Sequence, residues 1–257
     1  MTAKYYLRKR GLLRNGIIVA KTKTNSKLAL KVSNDDSSDF ARVLDIWDRR
    51  VYLPVGMSLP ENAVVIDVGA HIGVFSLFIG SNFPNAIILS YEPNHDNFAR
   101  LRQNISMSGL TNIKVNNLAV AGKRKTSRLY IHNSNSGGHS LEQSYVLGRS
   151  TSDYEVCCVT ISDIFETYNL ARCHLLKMDC EGAEYEILSS LESSILERID
   201  NVAMEYHKIA YHNVDELRSR LEQENFKVGV EPILGKSDEG YLRASKIDRA
   251  RSTDIRS

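Results

Sequence analysis

The stretch VVIDVGAHIG, residues 64–73, decides the fold predicted for this chain. Four of its first five positions are apolar, yet Asp67 interrupts them, and Gly69 and Gly73 follow. An apolar strand that ends in a glycine turn and runs into a helix is typical of α/β proteins, whose ligands bind at the carboxyl ends of parallel strands. Asp67 is therefore predicted to lie at the rim of a ligand site.

Downstream, the pattern alternates between apolar strands and amphipathic helices. Strands are predicted at 63–68, 86–91, 112–120, 173–178 and 201–206, and helices at 72–80, 95–106, 181–191 and 214–225. The last two strands, 226–231 and 240–245, leave no room for a helix between them, so we expect them to pair antiparallel. The expected fold is α/β, with a doubly wound, mainly parallel sheet whose last strand is antiparallel.

Three parts are predicted along the chain. Residues 1–60 form a small N-terminal cap, with strands at 16–20 and 28–32 and a helix that Ser38 caps. Residues 61–246 form the ligand-binding domain, interrupted by an insertion at 127–159 on the substrate side. The remaining residues, 247–257, are expected to be a disordered tail.

Composition and charge limit the class of protein. With 42% hydrophobic and 25% charged residues among 257, the chain has an ordinary globular composition, and it contains no apolar run long enough to span a membrane. Its four cysteines lack C-x-x-C spacing, so neither zinc nor a disulfide framework is expected, and a cytoplasmic location is predicted.

The first 31 residues hold nine lysines and arginines and no acid. This basic arm either keeps edge strands soluble or attracts an anionic partner. No aromatic or RNP-like pattern accompanies the charge, so nucleic acid is not clearly indicated.

Four acids, Asp67, Glu92, Asp179 and Glu205, follow successive predicted strands. One such acid alone is most simply a helix cap or an ion-pair partner, whereas four at one rim indicate a hydroxyl-rich or cationic ligand. The glycine loop lacks both G-x-G-x-x-G and G-K-[ST], which argues against a phosphate ligand. Glu92 closes the second strand, where an acid binds both ribose hydroxyls in this class of fold. A nucleoside without phosphates and with a positive centre fits, and S-adenosylmethionine has that chemistry.

Together these motifs resemble the class I S-adenosylmethionine-dependent methyltransferases, and more narrowly the FkbM-type family. The resemblance covers roughly residues 40–246 and runs, in order, through VVIDVGAHIGVFSL, YEPN, NLAV, SGGHS, LLKMDCEGAEYEIL, AMEYH and GYLRASK. One motif alone would be weak, but this ordered series is specific, and the K-x-D-x-E-G-x-E stretch from Lys177 to Glu184 is the most family-like.

The resemblance implies a seven-stranded Rossmann-like sheet, S-adenosylmethionine as cofactor, and methylation of a hydroxyl on a small molecule, sugar, glycan or secondary metabolite. It also implies cofactor-binding residues. The loop Asp67, Gly69, Ala70, His71 and Gly73 would surround the methionine and ribose, with His71 where asparagine is common; Glu92 would bind the ribose, Asn117 and Ala119 the adenine edge, and Asp179 the methionine amino group beside the methyl.

The predicted general base, which removes the hydroxyl proton, is one of Asp179, Glu205, His207 and His139. Asp179, Glu205 and His207 could also hold Mg²⁺, because carboxylates are hard ligands. No metal is predicted, however, because the acid pair of metal-dependent sugar methyltransferases is not visible.

Some alternatives stay open at this point. Glu181 and Glu184 either favour a helix dipole or take part in catalysis. The chain could also bind the cofactor without turnover, and a nicotinamide oxidoreductase would need the missing pyrophosphate loop.

Overall fold

The computed structural model describes residues 16–21, 27–32, 38–53, 57–236 and 238–247. Its strands are β1 (Gly16–Lys21), β2 (Lys27–Val32), β3 (Val64–Val68), β4 (Ile87–Tyr91), β5 (Ile113–Asn116), β6 (Ala119–Val120), β7 (Lys125–His132), β8 (Ser150–Val159), β9 (Leu175–Met178), β10 (Asn201–Tyr206), β11 (Phe226–Pro232) and β12 (Gly240–Lys246). Its helices are α1 (Ser38–Val43), α2 (Val74–Asn82), α3 (His95–Ser108), α4 (Ile161–Thr167), α5 (Glu184–Ser190), α6 (Ser193–Leu196) and α7 (Val214–Gln223).

A seven-stranded sheet, counted over the described ranges, forms the centre of the fold. Its strand order is β11-β12-β10-β9-β3-β4-β5. The five strands from β10 to β5 are mutually parallel, and β12 runs antiparallel to both of its neighbours. The predicted doubly wound sheet with an antiparallel last strand is confirmed. Because β3 lies between β9 and β4, the carboxyl ends of these three strands meet at one edge.

Helices cover both faces of this sheet, and the apolar strands alternate between two cores. On β3, Val65 belongs to the core under α2, whereas Ile66 and Val68 belong to the core under α4, α5, α6 and α7. All three side chains are at most 1% exposed. This two-sided burial explains why β3 reads as a near-continuous apolar run, and why a charge within it is conspicuous.

The predicted third strand at 112–120 is wrong as a single element. Residues Ile113–Asn116 pair with β4 as β5, and then the chain leaves the central sheet. Ala119–Val120 instead form β6, which pairs with β8 in a second, three-stranded sheet ordered β6-β8-β7. The break falls at Asn117, whose side-chain amide donates to the carbonyl oxygens of Glu92 and Pro93 at 2.8 and 3.0 Å.

The N-terminal strands lie where they were predicted, and β1 and β2 form an antiparallel pair. The predicted helix begins at Ser38 but is α-helical only to Val43, after which Leu44–Arg49 are π-helical. The boundary of the cap at residue 60 stays a prediction. Most of the basic arm, and the tail from residue 248, lie outside the described residues.

Two helices on the sheet were not predicted, α4 and α6. A signal for α4 was present, because Thr160 and Asp163 form a reciprocal capping box at its start. Within the described residues, no helix combines the length and apolar composition needed to cross a bilayer.

Close packing within the protein requires a glycine at the start of the first loop. Gly69 has a φ of +72°, and a Cβ built on it would lie 1.9 Å from the carbonyl oxygen of Asp179. The loop after β3 therefore packs directly against the end of β9.

Gly69→Ala is expected to lower the free energy of unfolding by well over the ~1–2 kcal/mol that a left-handed backbone costs an alanine, because the added methyl also collides with the Asp179 carbonyl. Gly109→Ala is the matched control, since Gly109 has a φ of +70° and no atom would lie within 4 Å of the new Cβ. Urea unfolding followed by circular dichroism gives both values. Equal losses in the two variants would contradict the close approach.

Candidate functional site

A cleft opens at the edge where β3, β4 and β9 end. Its lining residues come from the loops after these strands and from the second sheet, and they include Gly69, Glu92, Ala119, Asp179 and Glu181. Parallel neighbours bring their carboxyl ends to one side of a sheet, so chain segments far apart in sequence line one cavity.

Asp67 lies beneath this cleft and does not line it. The side chain is fully buried and pairs with Lys177 on β9, the residue opposite it in the parallel register, at 3.0 Å. Ser76 donates to its other oxygen at 2.5 Å. Because it is fully buried, Asp67 does not reach the cleft, contrary to the direct cofactor contact predicted for it.

Lys177 received no role from the sequence, although it begins the most family-like motif. Its ammonium donates to the carbonyl oxygens of Val68 and Gly69 at 3.1 and 2.8 Å, and the residue is 2% exposed. Burial lowers the pKa of Lys177, but Asp67 and Asp179 outweigh burial and raise it above its usual value. A charged lysine thus holds the glycine loop from below.

Glu92 lies on the wall of the cleft, as predicted for the ribose-binding acid. Its two carboxylate oxygens accept the backbone N–H groups of His71 and Asn94 at 2.8 and 2.9 Å. Burial raises the pKa of Glu92 to about 7, and these hydrogen bonds only partly oppose that rise. Each oxygen retains a lone pair for a ligand hydroxyl.

His71 lies in the cleft wall with a left-handed backbone, at a φ of +52°. Burial, followed by the charges of Arg42 and Arg100, lowers the pKa of His71 to about 3, so its imidazole is neutral. Its Nε2 lies 3.1 Å from the hydroxyl of Ser136, in the glycine-serine loop of the insertion. This contact places that loop over the cleft.

The other predicted loop and adenine residues divide between the wall and its support. Ala119 lines the cleft, whereas Asn117 lies behind Glu92 and contacts backbone carbonyls. Ala70 donates its N–H to the Tyr91 carbonyl at 2.9 Å, and Gly73 packs against Leu101. Neither is among the lining residues.

An acidic cluster lies deeper in the site, formed by Asp179, Glu181 and Glu205. Arg42 reaches it from α1, with Nη1 2.7 Å from Glu205 and 3.2 Å from Asp179, and Nη2 3.4 Å from Glu181. The hydroxyl of Tyr52 donates to Asp179 at 2.9 Å and to Glu205 at 3.2 Å. Sequence reasoning missed both Arg42 and Tyr52, because neither belongs to a motif.

These neighbours decide the protonation of the acids. Burial alone would raise the pKa of Asp179, but Arg42, Lys177 and His207 reverse this and lower it to about 2. Burial dominates for Glu181 and raises its pKa to about 7 despite the nearby His207. Asp179 is thus a permanent anion, while Glu181 can take up a proton near neutral pH.

The two candidate histidines differ in position. His207 is 2% exposed, with Nε2 3.3 Å from Glu181 and Nδ1 3.2 Å from Glu184. Burial lowers the pKa of His207, but the two glutamates outweigh it and raise the pKa well above its usual value. His207 is therefore held as an imidazolium, which donates protons rather than accepting them. His139 lines the cleft, and its Nδ1 accepts the N–H of His132 at 3.1 Å.

The residues weighed as metal ligands do come together. Asp179, Glu205 and His207 each offer one ligand atom, and these atoms lie within 4.8 Å of one another. The guanidinium of Arg42 already contacts two of the three, so a positive charge occupies this cluster.

With this geometry established, comparison with known proteins identifies the family. The profile described as "Methyltransferase FkbM domain" matches residues 67–228. The chain belongs to the FkbM methyltransferase family. It is an S-adenosylmethionine-dependent methyltransferase, which decides against a nicotinamide oxidoreductase. The match begins at Asp67, so Arg42 and Tyr52 lie outside it.

Three relatives are similar to this FkbM-family enzyme at low identity. Methyltransferase 1 of Beauveria bassiana (strain ARSEF 2860) is 26% identical over 188 residues, covering 67% of this chain and 75% of that protein. The 31-O-demethyl-FK506 methyltransferase FkbM of Streptomyces tacrolimicus is 27% identical over 191 residues, covering 64% and 73%. The hexuronic acid methyltransferase AglP of Haloferax volcanii is 27% identical over 153 residues, covering 57% of each.

The cleft of this methyltransferase fits the chemistry of its methyl donor. Asp179 Oδ1 is buried and accepts no hydrogen bond from the described residues, which suits an ammonium or sulfonium ligand. Glu92 follows β4, on the other side of β3 from Asp179, and suits ribose hydroxyls. Asp179 and Glu92 are thus the residues that would hold the donor.

Affinity for S-adenosylhomocysteine is expected to fall as pH is lowered from 8 to 6. Ribose hydroxyls donate to the ionised form of Glu92, and a carboxyl whose pKa is raised to about 7 loses that form below neutral pH. One such proton changes affinity by at most about tenfold per pH unit. Calorimetry across this range measures the slope.

Glu92→Gln should remove the part of the slope that Glu92 causes, whereas Glu192→Gln, at an exposed carboxyl, should keep it. The same slope in the native chain and in Glu92→Gln would disprove this assignment.

Proposed function

We propose that this methyltransferase transfers a methyl group to a hydroxyl oxygen of a small molecule, sugar or secondary metabolite. The observation that carries the proposal is the acidic cluster at the junction of two cavities. Asp179 and Glu181 line the cofactor cleft, and Glu205 lines an adjoining open groove that also contains Tyr241. Carboxylates at such a junction are placed to take a proton from an acceptor that enters through the groove.

The relatives support an oxygen acceptor. FkbM is named for a 31-O-demethyl substrate and AglP for a hexuronic acid. A hydroxyl is a poor nucleophile until its proton is removed, so this chemistry uses the basic groups that the site provides.

When bound, S-adenosylmethionine supplies a sulfonium methyl that the acceptor oxygen takes, and the electron pair of the broken S–C bond stays on sulfur. The protein must orient the acceptor and accept its proton. Orientation of this kind contributes on the order of 7–11 kcal/mol in well-aligned reactions. Among the carboxylates, Asp179 is a weak base because its pKa is lowered to about 2, whereas Glu181 has a pKa of about 7 and matches neutral pH.

We therefore assign removal of the acceptor hydroxyl proton to Glu181. Asp179 and Glu205 instead hold Tyr52 and Arg42 in place. Glu181 is not among the four candidate bases predicted from the sequence. The roles predicted for Asp179, Glu205 and His139 stay predictions. From the sequence, Glu181 could either favour a helix dipole or take part in catalysis. The sequence could not choose between them, because the burial of Glu181 and its contact with His207 depend on the fold.

Glu181→Gln is expected to lower kcat by about 10²- to 10⁴-fold, the usual contribution of a general base. In the native enzyme, kcat should rise with pH and level off above about pH 7, as Glu181 ionises. The assay measures S-adenosylhomocysteine release with uronic acids and polyketide alcohols, each beside its deoxy analogue.

Glu192→Gln serves as the control, because Glu192 is exposed and is not among the residues that line the cleft or the groove. Transfer to deoxy analogues at the same rate would disprove hydroxyl methylation. Cofactor binding without turnover on any acceptor would instead favour a non-catalytic domain.

His207→Gln is expected to move the rising limb of kcat to higher pH while leaving the high-pH plateau largely intact. Burial raises the pKa of Glu181 and the imidazolium of His207 lowers it, so loss of that positive charge raises the pKa of Glu181 further. A pH–rate profile distinguishes a His207 that lowers the pKa of Glu181 from a His207 that is itself the base. If His207 were the base, the plateau itself would collapse.

A further inference from the structure

Arg42 enters the methyltransferase site from outside the family-matched residues. Asp39 anchors its helix α1, because this buried carboxylate pairs with Arg100 on α3 and lies 3.7 Å from Nε2 of His71 in the cofactor loop. The Arg42 side chain is 18% exposed and lines both the cofactor cleft and the adjoining groove that contains Glu205 and Tyr241. It thus stands where the two cavities meet.

The carboxylates around Arg42 would otherwise form a site for a hard divalent cation. Nη1 contacts the same oxygens of Asp179 and Glu205 to which the Tyr52 hydroxyl donates. Ligand atoms of these two acids and of His207 lie within 4.8 Å of one another, and His207 would have to lose its imidazolium proton to complete a metal centre. Buried carboxylates need a positive partner, so removal of Arg42 leaves a strong preference for another cation.

We propose that Arg42 is the built-in cation of this site: its guanidinium takes the place of a divalent metal ion between Asp179 and Glu205 and positions the acceptor oxygen by hydrogen bonding. This inference rests on the proposed hydroxyl methylation. A guanidinium has five N–H donors in a fixed plane, so it can hold an acceptor oxygen in one direction by hydrogen bonding. Burial lowers the pKa of Arg42, but Asp179 and Glu205 raise it well above its usual value, so its charge is permanent.

On this assignment the reaction requires no metal ion. A resident cation on α1 needs no metal supply, and it links the N-terminal helix to the chemistry. Arg42 is a positioning residue, so its loss should raise KM for the acceptor more than it lowers kcat at saturating acceptor.

The test compares the native chain, Arg42→Met and Arg42→Lys, with Mn²⁺ as the probe. The native enzyme should show no saturable Mn²⁺ binding by electron paramagnetic resonance, and its turnover should resist chelators. Arg42→Met should gain at least about tenfold in Mn²⁺ affinity, because one buried positive charge is lost from beside the carboxylates. Arg42→Lys should bind Mn²⁺ as weakly as the native chain and recover part of the acceptor KM.

Two further variants make the result specific. Asp179→Asn added to Arg42→Met should abolish the gained Mn²⁺ site. Arg172→Met, which breaks an arginine–carboxylate pair with Asp200 away from the cleft, should gain none.

Saturable Mn²⁺ binding by the native chain, with metal-stimulated turnover, would overturn the proposal, as would an unchanged Mn²⁺ affinity in folded Arg42→Met. If Arg42→Met fails to fold, Arg42→Gln, which also removes the positive charge but keeps a hydrogen-bonding side chain, takes its place in the same titration. Because Mn²⁺ binding needs no acceptor, failure of hydroxyl methylation would be seen separately.

Discussion

The buried ion pair between Lys177 and Asp67 holds the rest of the site in place. The parallel register of β3 and β9 sets the two residues side by side in the middle of the sheet. A charge at this depth is tolerated only with a well-placed partner, and Lys177 also binds the carbonyls of Val68 and Gly69. The glycine loop and the end of β9 thereby become one unit, with Gly69 pressed against Asp179.

A second layer of charge compensation rests on this unit. Asp179, Glu181 and Glu205 lie too close together to be buried as anions without cations. Arg42, near the start of the chain, and His207, nearer its end, supply the positive charges that contact them. The N-terminal helix is therefore part of the site, although the family match begins after it. The same charges make Asp179 a permanent anion and leave Glu181 able to titrate near neutral pH.

Most of the fold was predictable because its signals are local. Apolar runs and amphipathic periodicity located the seven strands of the main sheet, and the short link between the last two predicted their antiparallel pairing. The errors arose where a distant contact overrides a local pattern. Asn117 interrupts an apparently continuous strand because its amide binds carbonyls after β4, and α4 escaped notice although its capping box was visible.

By itself, the sequence determined which residues end the parallel strands, and so which edge of the sheet holds the cofactor. That follows from chain order alone, since parallel strands bring their carboxyl ends to one side. Only the tertiary structure decided that Asp67 is a buried support, that His207 is an imidazolium, and that Arg42 joins the site. Pairing and protonation depend on distances across the fold, and Arg42 and Glu205 are separated by 163 positions but by only 2.7 Å in space.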